Sequence, residues 1–297
     1  MASLLTKVKA KIEITTTKKV RGLISGRGRS LFKGSGEDFD DLKYYQPGDK
    51  ISDIDWKATA RSGEPLIRQF NEERVRYLCV IGDTSGAMAA SAADGTSKRD
   101  ALVTAAGLLC YLAHSNGDLV GLVAGTPGDQ LQLPARSSRG HLELLLRTLQ
   151  KNTVLGGAPA NVEWALTRAL RLTRRSSLML LITDEANPGP ECEGALRRLM
   201  TRHDLLVVRI RDADPLGRLD LDAALIDPGY PREILRHTRT VAAVQKEADA
   251  FREKREADIT AMLDSLGIVH TLTDGDSQIV DDMIAMFRRQ GARNGRP

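Results

Sequence analysis

The sequence is poor in aromatic residues and in cysteine. Phe, Trp and Tyr make up 4% of its 297 residues, and its three cysteines are Cys79, Cys110 and Cys192. The cysteines are odd in number and far apart, in apolar or helical contexts, so they indicate neither a disulfide framework nor a Cys-x-x-Cys metal site. This usage is typical of a reducing compartment, and we expect a cytoplasmic protein.

Long hydrophobic runs are absent as well. No stretch approaches the roughly 20 apolar residues that a membrane-spanning helix needs. The N-terminus has Lys7, Lys9 and Lys11 where a signal peptide would have its apolar core. We therefore expect neither a membrane span nor secretion, while a hydrophobic content of 41% is enough for the core of a large α/β domain.

The motifs of common enzyme classes are also missing. The chain has no Gly-x-x-x-x-Gly-Lys-Ser/Thr loop and no Gly-x-Ser-x-Gly elbow, and the glycines in residues 26–36 do not follow a strand as a dinucleotide site requires. The five histidines show no metal-ligand spacing. We therefore expect no enzymatic activity in this chain.

Positive charge is concentrated at the N-terminus, although the net charge of the chain is only +4. Residues 1–33 hold nine Lys or Arg residues against one acid, Glu13, whereas residues 37–55 are mostly acidic. We interpret the basic arm as solvated surface or as a cover over an acidic patch. No nucleic-acid-binding motif accompanies it, so nucleic acid is not an expected partner.

Beyond residue 76, short apolar runs alternate with segments of helical period. This pattern predicts an α/β fold, with a mostly parallel sheet covered by helices. A long charged segment, 240–266, predicts a helix that turns Val241, Val244, Phe251, Ile259, Met262 and Leu266 toward the sheet. Other helices are predicted from 97 to 113, around 162–170, after Pro190 and from 277. The predicted strands are 77–82, 119–124, 178–183, 205–210 and 268–272, with 130–133 as an antiparallel edge strand.

The sequence predicts three parts. Residues 1–75 form a basic arm followed by a turn-rich segment that we expect to pack on the α/β domain of residues 76–290, and residues 291–297 form a disordered tail. In the arm, Val8, Ala10 and Ile12 alternate as in a strand, whereas Leu5, Val8 and Ile12 keep helical spacing. We favour a helix.

Two acidic residues follow predicted strands, at the edge of the sheet where ligands bind. They are Asp83 and Asp184. Asp83 opens the run Asp-Thr-Ser85-Gly-Ala87, which is similar to the Asp-x-Ser-x-Ser motif of von Willebrand factor A domains, whose metal-ion-dependent adhesion site holds a divalent cation. The resemblance implies that Asp83, Ser85 and Asp184 are metal ligands, with Mg²⁺ as the cation.

The motif is incomplete in this chain. Ala87 stands at the position of the second serine, and Ala158 ends the Gly-Gly-Ala turn where such domains have a threonine. Mg²⁺ prefers near-octahedral oxygen ligands, so each missing hydroxyl lowers its affinity. We interpret the site as a degenerate metal-ion-dependent adhesion site. In the alternative interpretation, Asp83 and Asp184 only cap backbone amides at strand-to-helix turns.

An ordered set of motifs precedes the first predicted strand of the α/β domain. The motifs are Gly34-Ser-Gly-Glu-x-Phe39, Tyr45-x-Pro-Gly48-Asp49, Ile54-Asp55-Trp56-Lys57, Ala60-Arg61 and Glu72-Glu-Arg74. In order and spacing this set resembles the family called domain of unknown function 58, and the resemblance extends from about Gly22 to the end of the chain. We interpret Trp56 as a packing anchor, and Trp164 in the same way.

Members of that family join such a segment to a von Willebrand factor A-like domain and commonly accompany MoxR-type AAA+ ATPases. The resemblance therefore implies a three-layer von Willebrand factor A-like fold and a MoxR-type ATPase as partner in a chaperone-like system. The candidate interaction residues are Gly48, Asp49, Asp55, Trp56, Lys57 and Arg61.

These observations favour a non-enzymatic protein-interaction module that serves as adaptor or substrate receptor for the ATPase. Two alternatives stay open. One is a metal-dependent adhesion module that binds a partner carboxylate at Asp83 and Ser85 without any ATPase. The other is a metal-assisted hydrolase at the same strand ends.

Overall fold

A computed structural model of the chain describes residues 3–15, 39–46, 51, 54–70, 75–214 and 241–294. The chain divides into two compact units, one of Met1–Phe32 with Arg76–Pro297 and a smaller one of Lys33–Val75. This division differs from the predicted one, which joined the whole of residues 1–75. The reason is that the N-terminal helix buries its apolar side chains in the core of the larger unit.

The elements are numbered in chain order. The helices are α1 (Leu4–Thr15), α2 (Trp56–Ser62), α3 (Lys98–Asn116), α4 (Arg139–Asn152), α5 (Val162–Leu172), α6 (Glu193–Met200), α7 (Ala242–Ser265) and α8 (Ile279–Asn294). The strands are β1 (Phe39–Tyr44), β2 (Leu66–Phe70), β3 (Tyr77–Gly82), β4 (Leu119–Thr126), β5 (Asp129–Arg136), β6 (Leu178–Asp184), β7 (Asp204–Ile210) and β8 (Val269–Thr273).

Six strands of the larger unit form one sheet in the order β5-β4-β3-β6-β7-β8. All neighbours are parallel except β4 and β5. Central strands such as β6 are buried throughout because both faces are covered, whereas the antiparallel edge strand β5 is largely solvent-accessible. The predicted parallel strands and the antiparallel edge strand are confirmed.

The direction of winding reverses between β3 and β6. From β3 the chain adds β4 and β5 on one side, and it then returns to add β6, β7 and β8 on the other. In an open α/β sheet, such a reversal leaves a crevice at the carboxyl ends of the two strands. The fold thus places its binding edge at the ends of β3 and β6.

Helices cover both faces of the sheet, which confirms the three-layer arrangement. Adjacent residues of a strand point to opposite faces, so Val80 lies in one core and Ile81 in the other. The first core receives buried side chains from α1, α3, α4 and α8. The second receives them from α5, α6 and α7.

The N-terminal segment is a helix, as its spacing favours. The side chains of Leu5, Val8 and Ile12 are buried in the first core. The Glu143 carboxylate of α4 accepts hydrogen bonds from the backbone N–H groups at the start of α1, that of Leu5 at 3.1 Å. Toward the other end, Lys11 forms an ion pair with Asp276 at 2.7 Å. Helix α1 of the basic arm therefore belongs to the layer of helices that covers the first core.

The long helix α7 departs from the prediction. Val241, just before it, and Val244 and Phe251 within it were expected to face the sheet, but they are exposed, Phe251 by 65%. Only its second half packs in the core, through Ile259 and Leu263. Its 24 residues span about 36 Å, whereas a seven-residue strand spans about 23 Å, so about a third of the helix extends beyond the strands.

The predicted C-terminal tail, 291–297, is helical in its first part, because α8 continues to Asn294. Residues 295–297 lie outside the described residues. Among the described parts of the chain, no helix is both long enough and apolar enough to span a bilayer.

The smaller unit pairs β1 with β2 in antiparallel fashion and carries α2 between them in sequence. Asp55 caps this helix, since its Oδ1 accepts the N–H groups of Lys57 and Ala58, each at 3.0 Å. The helix ends at Gly63, whose φ of 80° is readily adopted by glycine.

Candidate functional site

Asp83 and Asp184 meet at the crevice between β3 and β6. Gly82, the last residue of β3, is in register with Ile182, and the N–H of Asp83 donates to the Ile182 carbonyl at 3.0 Å. Asp184 is the last residue of β6. The parallel register therefore brings the two predicted acids to one edge. We call the group Asp83, Ser85 and Asp184 the switch-point site.

Both carboxylates organise their own loops. Asp83 accepts hydrogen bonds from the Ser85 N–H at 2.9 Å and from the Thr183 hydroxyl at 2.8 Å. Asp184 accepts the Ala186 N–H at 3.0 Å and the Asn187 side-chain amide at 2.9 Å. These contacts are the ones that the capping interpretation expects.

Ser85 differs from the two acids because its hydroxyl is orphaned. The residue is 3% exposed, and among the described residues its Oγ has no hydrogen-bond partner. Buried hydroxyls are nearly always paired, so an unpaired one needs an explanation. It follows Asp83 by two residues and opens a short 3₁₀ helix, Gly86–Ala89.

A third loop adjoins Ser85. The Gly86 N–H donates to the Ala158 carbonyl at 3.2 Å, so the Gly-Gly-Ala turn lies against the Asp-Thr-Ser-Gly-Ala run. The approach is tight, because a Cβ at Gly157 would lie 3.3 Å from the Gly86 nitrogen. The structure thus brings Ala87 and Ala158, the two replaced ligand positions, into neighbouring loops.

The electrostatics of the switch-point site follow from burial and like charge. Burial raises the pKa of Asp83, and the negative charge of Asp184 raises it further, while the hydrogen bonds from the Ser85 N–H and the Thr183 hydroxyl act in the opposite direction. A cation between the acids would oppose the first two effects.

The donor set matches Mg²⁺ in chemistry and falls short in number. Two carboxylates and the orphaned Ser85 hydroxyl are hard oxygen ligands, but Mg²⁺ takes about six, and the side chains of Ala87 and Ala158 add none. Among the described residues, no group of three or more His, Cys, Asp and Glu is arranged to hold a metal. A cation here would rely on water for much of its shell.

An ion pair with a buried lysine lies on the same edge, and sequence reasoning missed it. Lys98, at the start of α3, is fully buried and pairs with Asp212, which follows β7. Glu185 accepts the Asp212 N–H at 3.3 Å and the Arg255 guanidinium at 3.0 Å. Burial raises the pKa of Asp212, and Lys98 partly opposes this. No local spacing marks the pair, because Lys98 and Asp212 are 114 positions apart in the chain.

Exposed apolar side chains border the switch-point site. Val154 is 48% and Leu155 is 71% exposed, directly before the Gly-Gly-Ala turn that contacts Gly86. We call these two residues the apolar rim. It adds exposed apolar surface to an edge that also holds the buried Asp184 and Lys98.

The family-motif residues lie in the smaller unit. Asp55 caps α2, and Lys57 and Arg61 are exposed on it, while Gly48 and Asp49 lie outside the described residues. Trp56 was expected to be a packing anchor, and that expectation is wrong, because its side chain is 68% exposed. It occupies the first turn of a helix that has no buried residue.

Trp164 does pack as expected, partly buried against the second core. The three cysteines are free and buried, so none forms a disulfide.

Comparison with known proteins identifies relatives in sequence. The profile of a family described as "Protein of unknown function DUF58" matches residues 41–266. The uncharacterized proteins Mb1516 of Mycobacterium bovis and Rv1480 of Mycobacterium tuberculosis are each 30% identical to the chain over 259 residues, which is 82% of the chain and 79% of the relative.

Among solved structures, an aerotolerance-related membrane protein from Bacteroides fragilis aligns with 74% of the chain and 100% of its own, at 16% identity and a TM-score of 0.43. A von Willebrand factor type A structure from Catenulispora acidiphila aligns with 74% of the chain and 42% of its own, at 13% identity and a TM-score of 0.38.

Proposed function

Since the chain belongs to the family Protein of unknown function DUF58, we propose that it is a cytoplasmic, non-enzymatic protein-interaction module that acts as adaptor or substrate receptor for a MoxR-type AAA+ ATPase in a chaperone-like system. The observation that carries the proposal is the apolar rim beside the switch-point site. Val154 and Leu155 expose apolar surface on a loop that the Gly86–Ala158 hydrogen bond ties to the buried site. The ATPase as partner rests on the family resemblance of residues 34–74.

In this proposal the switch-point site shapes the binding edge. Asp83 holds its loop through the hydrogen bond from the Ser85 N–H, and the Gly86–Ala158 hydrogen bond ties the loop of the apolar rim to it. Mg²⁺ would be held by Asp83, Ser85 and Asp184, and when bound it would supply a Lewis-acid contact for a partner oxygen. Partner binding at the apolar rim does not require the cation, because burial of the apolar side chains against a partner is itself favourable.

Affinity capture from the native host tests the proposal. The tagged wild-type chain is expected to recover an AAA+ ATPase, and Leu155→Asp is expected to lose at least about 90% of it, since a charge placed in an apolar contact costs well over 1.4 kcal/mol, a tenfold change. Leu144→Asp is the matched control, because Leu144 is 51% exposed on α4. Repeated recovery of the chain without any AAA+ ATPase would contradict the partner.

The orphaned Ser85 hydroxyl favours a second candidate, the metal-dependent adhesion module. A metal ligand has no hydrogen-bond partner within the protein when the metal is absent, and the buried Ser85 Oγ has this property. Calorimetry with Mg²⁺ and Mn²⁺ separates the candidates. Absence of binding at millimolar metal would eliminate both this module and the metal-assisted hydrolase, and it would leave the adaptor intact.

A further inference from the structure

Helix α2 of the smaller unit turns one side to β2 and the other to solvent. On the inner side, the Thr59 hydroxyl accepts the Leu66 N–H at 2.9 Å, and Thr59 and its neighbour Ala58 are half-buried. Four exposed residues form what we call the outer face of α2, namely Trp56, Lys57, Ala60 and Arg61. At about 100° per residue, the four lie in an arc of about 140° centred opposite Ala58 and Thr59.

The outer face has an apolar half and a basic half. Trp56 and Ala60 are four residues apart, so they lie next to each other along the helix. Lys57 and Arg61 have the same spacing and lie about 100° further round. An apolar surface and two positive charges are therefore side by side on one short helix.

The smaller unit is also where exposed aromatic side chains collect. Trp56 is 68% exposed and Tyr44 is 63% exposed, and Tyr45 is partly accessible. In the described part of the larger unit, the one strongly exposed aromatic side chain is Phe251. A large apolar side chain in water is informative because its burial against a partner is favourable, and tryptophan is enriched among the residues that dominate protein interfaces.

The two cations of the outer face have no acidic partner. Within the described residues, no carboxylate lies at ion-pair distance from Lys57 or Arg61. Asp55, the nearest acid in sequence, caps the helix with its Oδ1, which accepts two backbone N–H groups at 3.0 Å each. Glu64 follows the end of the helix and is itself exposed. Both positive charges are thus available to carboxylates from outside the chain.

The charge of the whole smaller unit favours a protein partner over a polyanion. Residues 33–75 hold ten acidic residues against seven Lys or Arg residues, so the basic half of the outer face is a local feature. Nucleic acids and anionic membranes are extended arrays of negative charge, and their binding depends on basic charge spread over a surface. A short segment with a few carboxylates needs positive charge only within the Debye length, about 8 Å at physiological salt.

We infer that the outer face of α2 docks an acidic segment of a protein partner. An apolar side chain of that segment packs on Trp56 and Ala60, and its carboxylates pair with the two cations. The guanidinium of Arg61 matches a carboxylate in geometry and charge. The inference does not rest on the proposed function, because the apolar rim and the switch-point site belong to the larger unit.

The fluorescence of Trp56 in the whole chain tests the inference. The chain has two tryptophans, so Trp164→Phe leaves Trp56 as the only reporter. The probe is a peptide of Glu-Leu-Asp repeats, and it is expected to give a saturable blue shift as leucine covers the indole. The Gln-Leu-Asn peptide, which lacks the charges, and the Glu-Ala-Asp peptide, which lacks the leucine, are each expected to bind at least about tenfold more weakly.

A charge-matched pair of variants tests the basic half. Lys57→Gln combined with Arg61→Gln is expected to weaken binding of the Glu-Leu-Asp peptide at least about tenfold, because both charge-assisted pairs are lost. Lys246→Gln combined with Lys254→Gln removes the same charge from exposed positions of α7 and should bind like the parent. An unchanged emission maximum without peptide shows that α2 keeps its structure in both variants.

A second pair of variants tests the apolar half, with a fluorescent label on the peptide in place of the tryptophan signal. Trp56→Ala is expected to weaken binding at least about tenfold. Phe251→Ala removes an aromatic side chain of similar exposure from α7 and should bind like wild type. Leu155→Asp should also bind like wild type, which separates this inference from the proposed function.

Several results would overturn the inference. They are an absence of saturation at millimolar Glu-Leu-Asp peptide, equal binding of the uncharged peptide, equal effects within either pair of variants, and loss of peptide binding in Leu155→Asp. Oligodeoxythymidine and phosphatidylserine vesicles are titrated at the same ionic strength. Tighter binding of either one than of the peptide would assign the outer face to nucleic acid or membrane and would also overturn it.

Discussion

At the scale of single residues, two alanines and one serine define how far the switch-point site departs from a metal-ion-dependent adhesion site. Ser85 keeps the hydroxyl, buried and unpaired, while Ala87 and Ala158 lack theirs. The Gly86–Ala158 hydrogen bond holds the two alanine loops together. The two absent hydroxyl groups therefore belong to neighbouring loops, so one double variant can restore both of them.

Ala87→Ser combined with Ala158→Thr is expected to raise Mg²⁺ affinity by about tenfold or more, since each new hydroxyl adds a hard oxygen ligand. Calorimetry of the folded double variant measures the change. Ala87→Ser combined with Ala158→Val is the control, because valine has the shape of threonine without its hydroxyl. Equal Mg²⁺ affinity in the two double variants would mean that the Ala158 loop does not reach the cation.

His203 provides a test by pH. It is 3% exposed, and neither ring nitrogen has a hydrogen-bond partner among the described residues. Burial, with Arg202 nearby, lowers its pKa from 6.5 to about 4. Between these values the unfolded chain binds the proton and the folded chain does not, so stability present above pH 6.5 is lost as the pH falls toward 4.

The expected loss is up to about 3 kcal/mol in the free energy of unfolding, and His203→Leu should not show it. Denaturant unfolding at pH 7, 5.5 and 4 measures both. His114→Gln, at an exposed histidine of α3, serves as control and should follow wild type. Parallel pH profiles for wild type and His203→Leu would contradict the buried, neutral histidine.

At the scale of elements, the docking of α1 on α3 depends on a glycine. A Cβ at Gly107 would lie 2.7 Å from the Cγ2 atom of Val8, which is closer than real contacts allow. Gly107 therefore sits where α1 approaches the helix most closely. The usual gain from Gly to Ala in a helix, about 1 kcal/mol, is opposed here by this overlap.

Gly107→Ala is expected to destabilise wild type by about 1 kcal/mol and to stabilise a Val8→Ala background by a similar amount, because the smaller side chain removes the overlap. A double-mutant cycle from denaturant unfolding measures this. Gly140→Ala in α4 has nothing within 4 Å of its new Cβ, so it should not destabilise either background. Equal effects of Gly107→Ala in both backgrounds would argue against close docking of α1.

Elements also differ in how well their local pattern predicts them. The five parallel strands are predictable because each is a short apolar run. Helix α4 was missed, although Leu142, Leu145, Leu146 and Leu149 carry a clear helical spacing and are all buried. Half of the residues predicted to face the sheet at α7 are exposed instead, namely Val241, Val244 and Phe251. Hydrophobic spacing does not reveal where the sheet beneath a helix ends.

At the scale of the whole molecule, the larger unit concentrates its unusual chemistry on one edge of the sheet. The switch-point site lies at β3 and β6, the Lys98–Asp212 pair follows at β7, and a cleft lined by Arg209 and Leu272 extends to β8. Strand carboxyl ends collect these groups because the connecting loops converge there.

The sequence alone determined the fold class, the family, and the two acids of the switch-point site. It could do so because strand runs, turn motifs and residues that follow strands are all local in the chain. Only the tertiary structure decided that Trp56 is exposed, that α1 belongs to the larger unit, and that Ser85 and Arg209 are buried with unpaired atoms. Burial and pairing depend on residues far apart in sequence, and no local period records them.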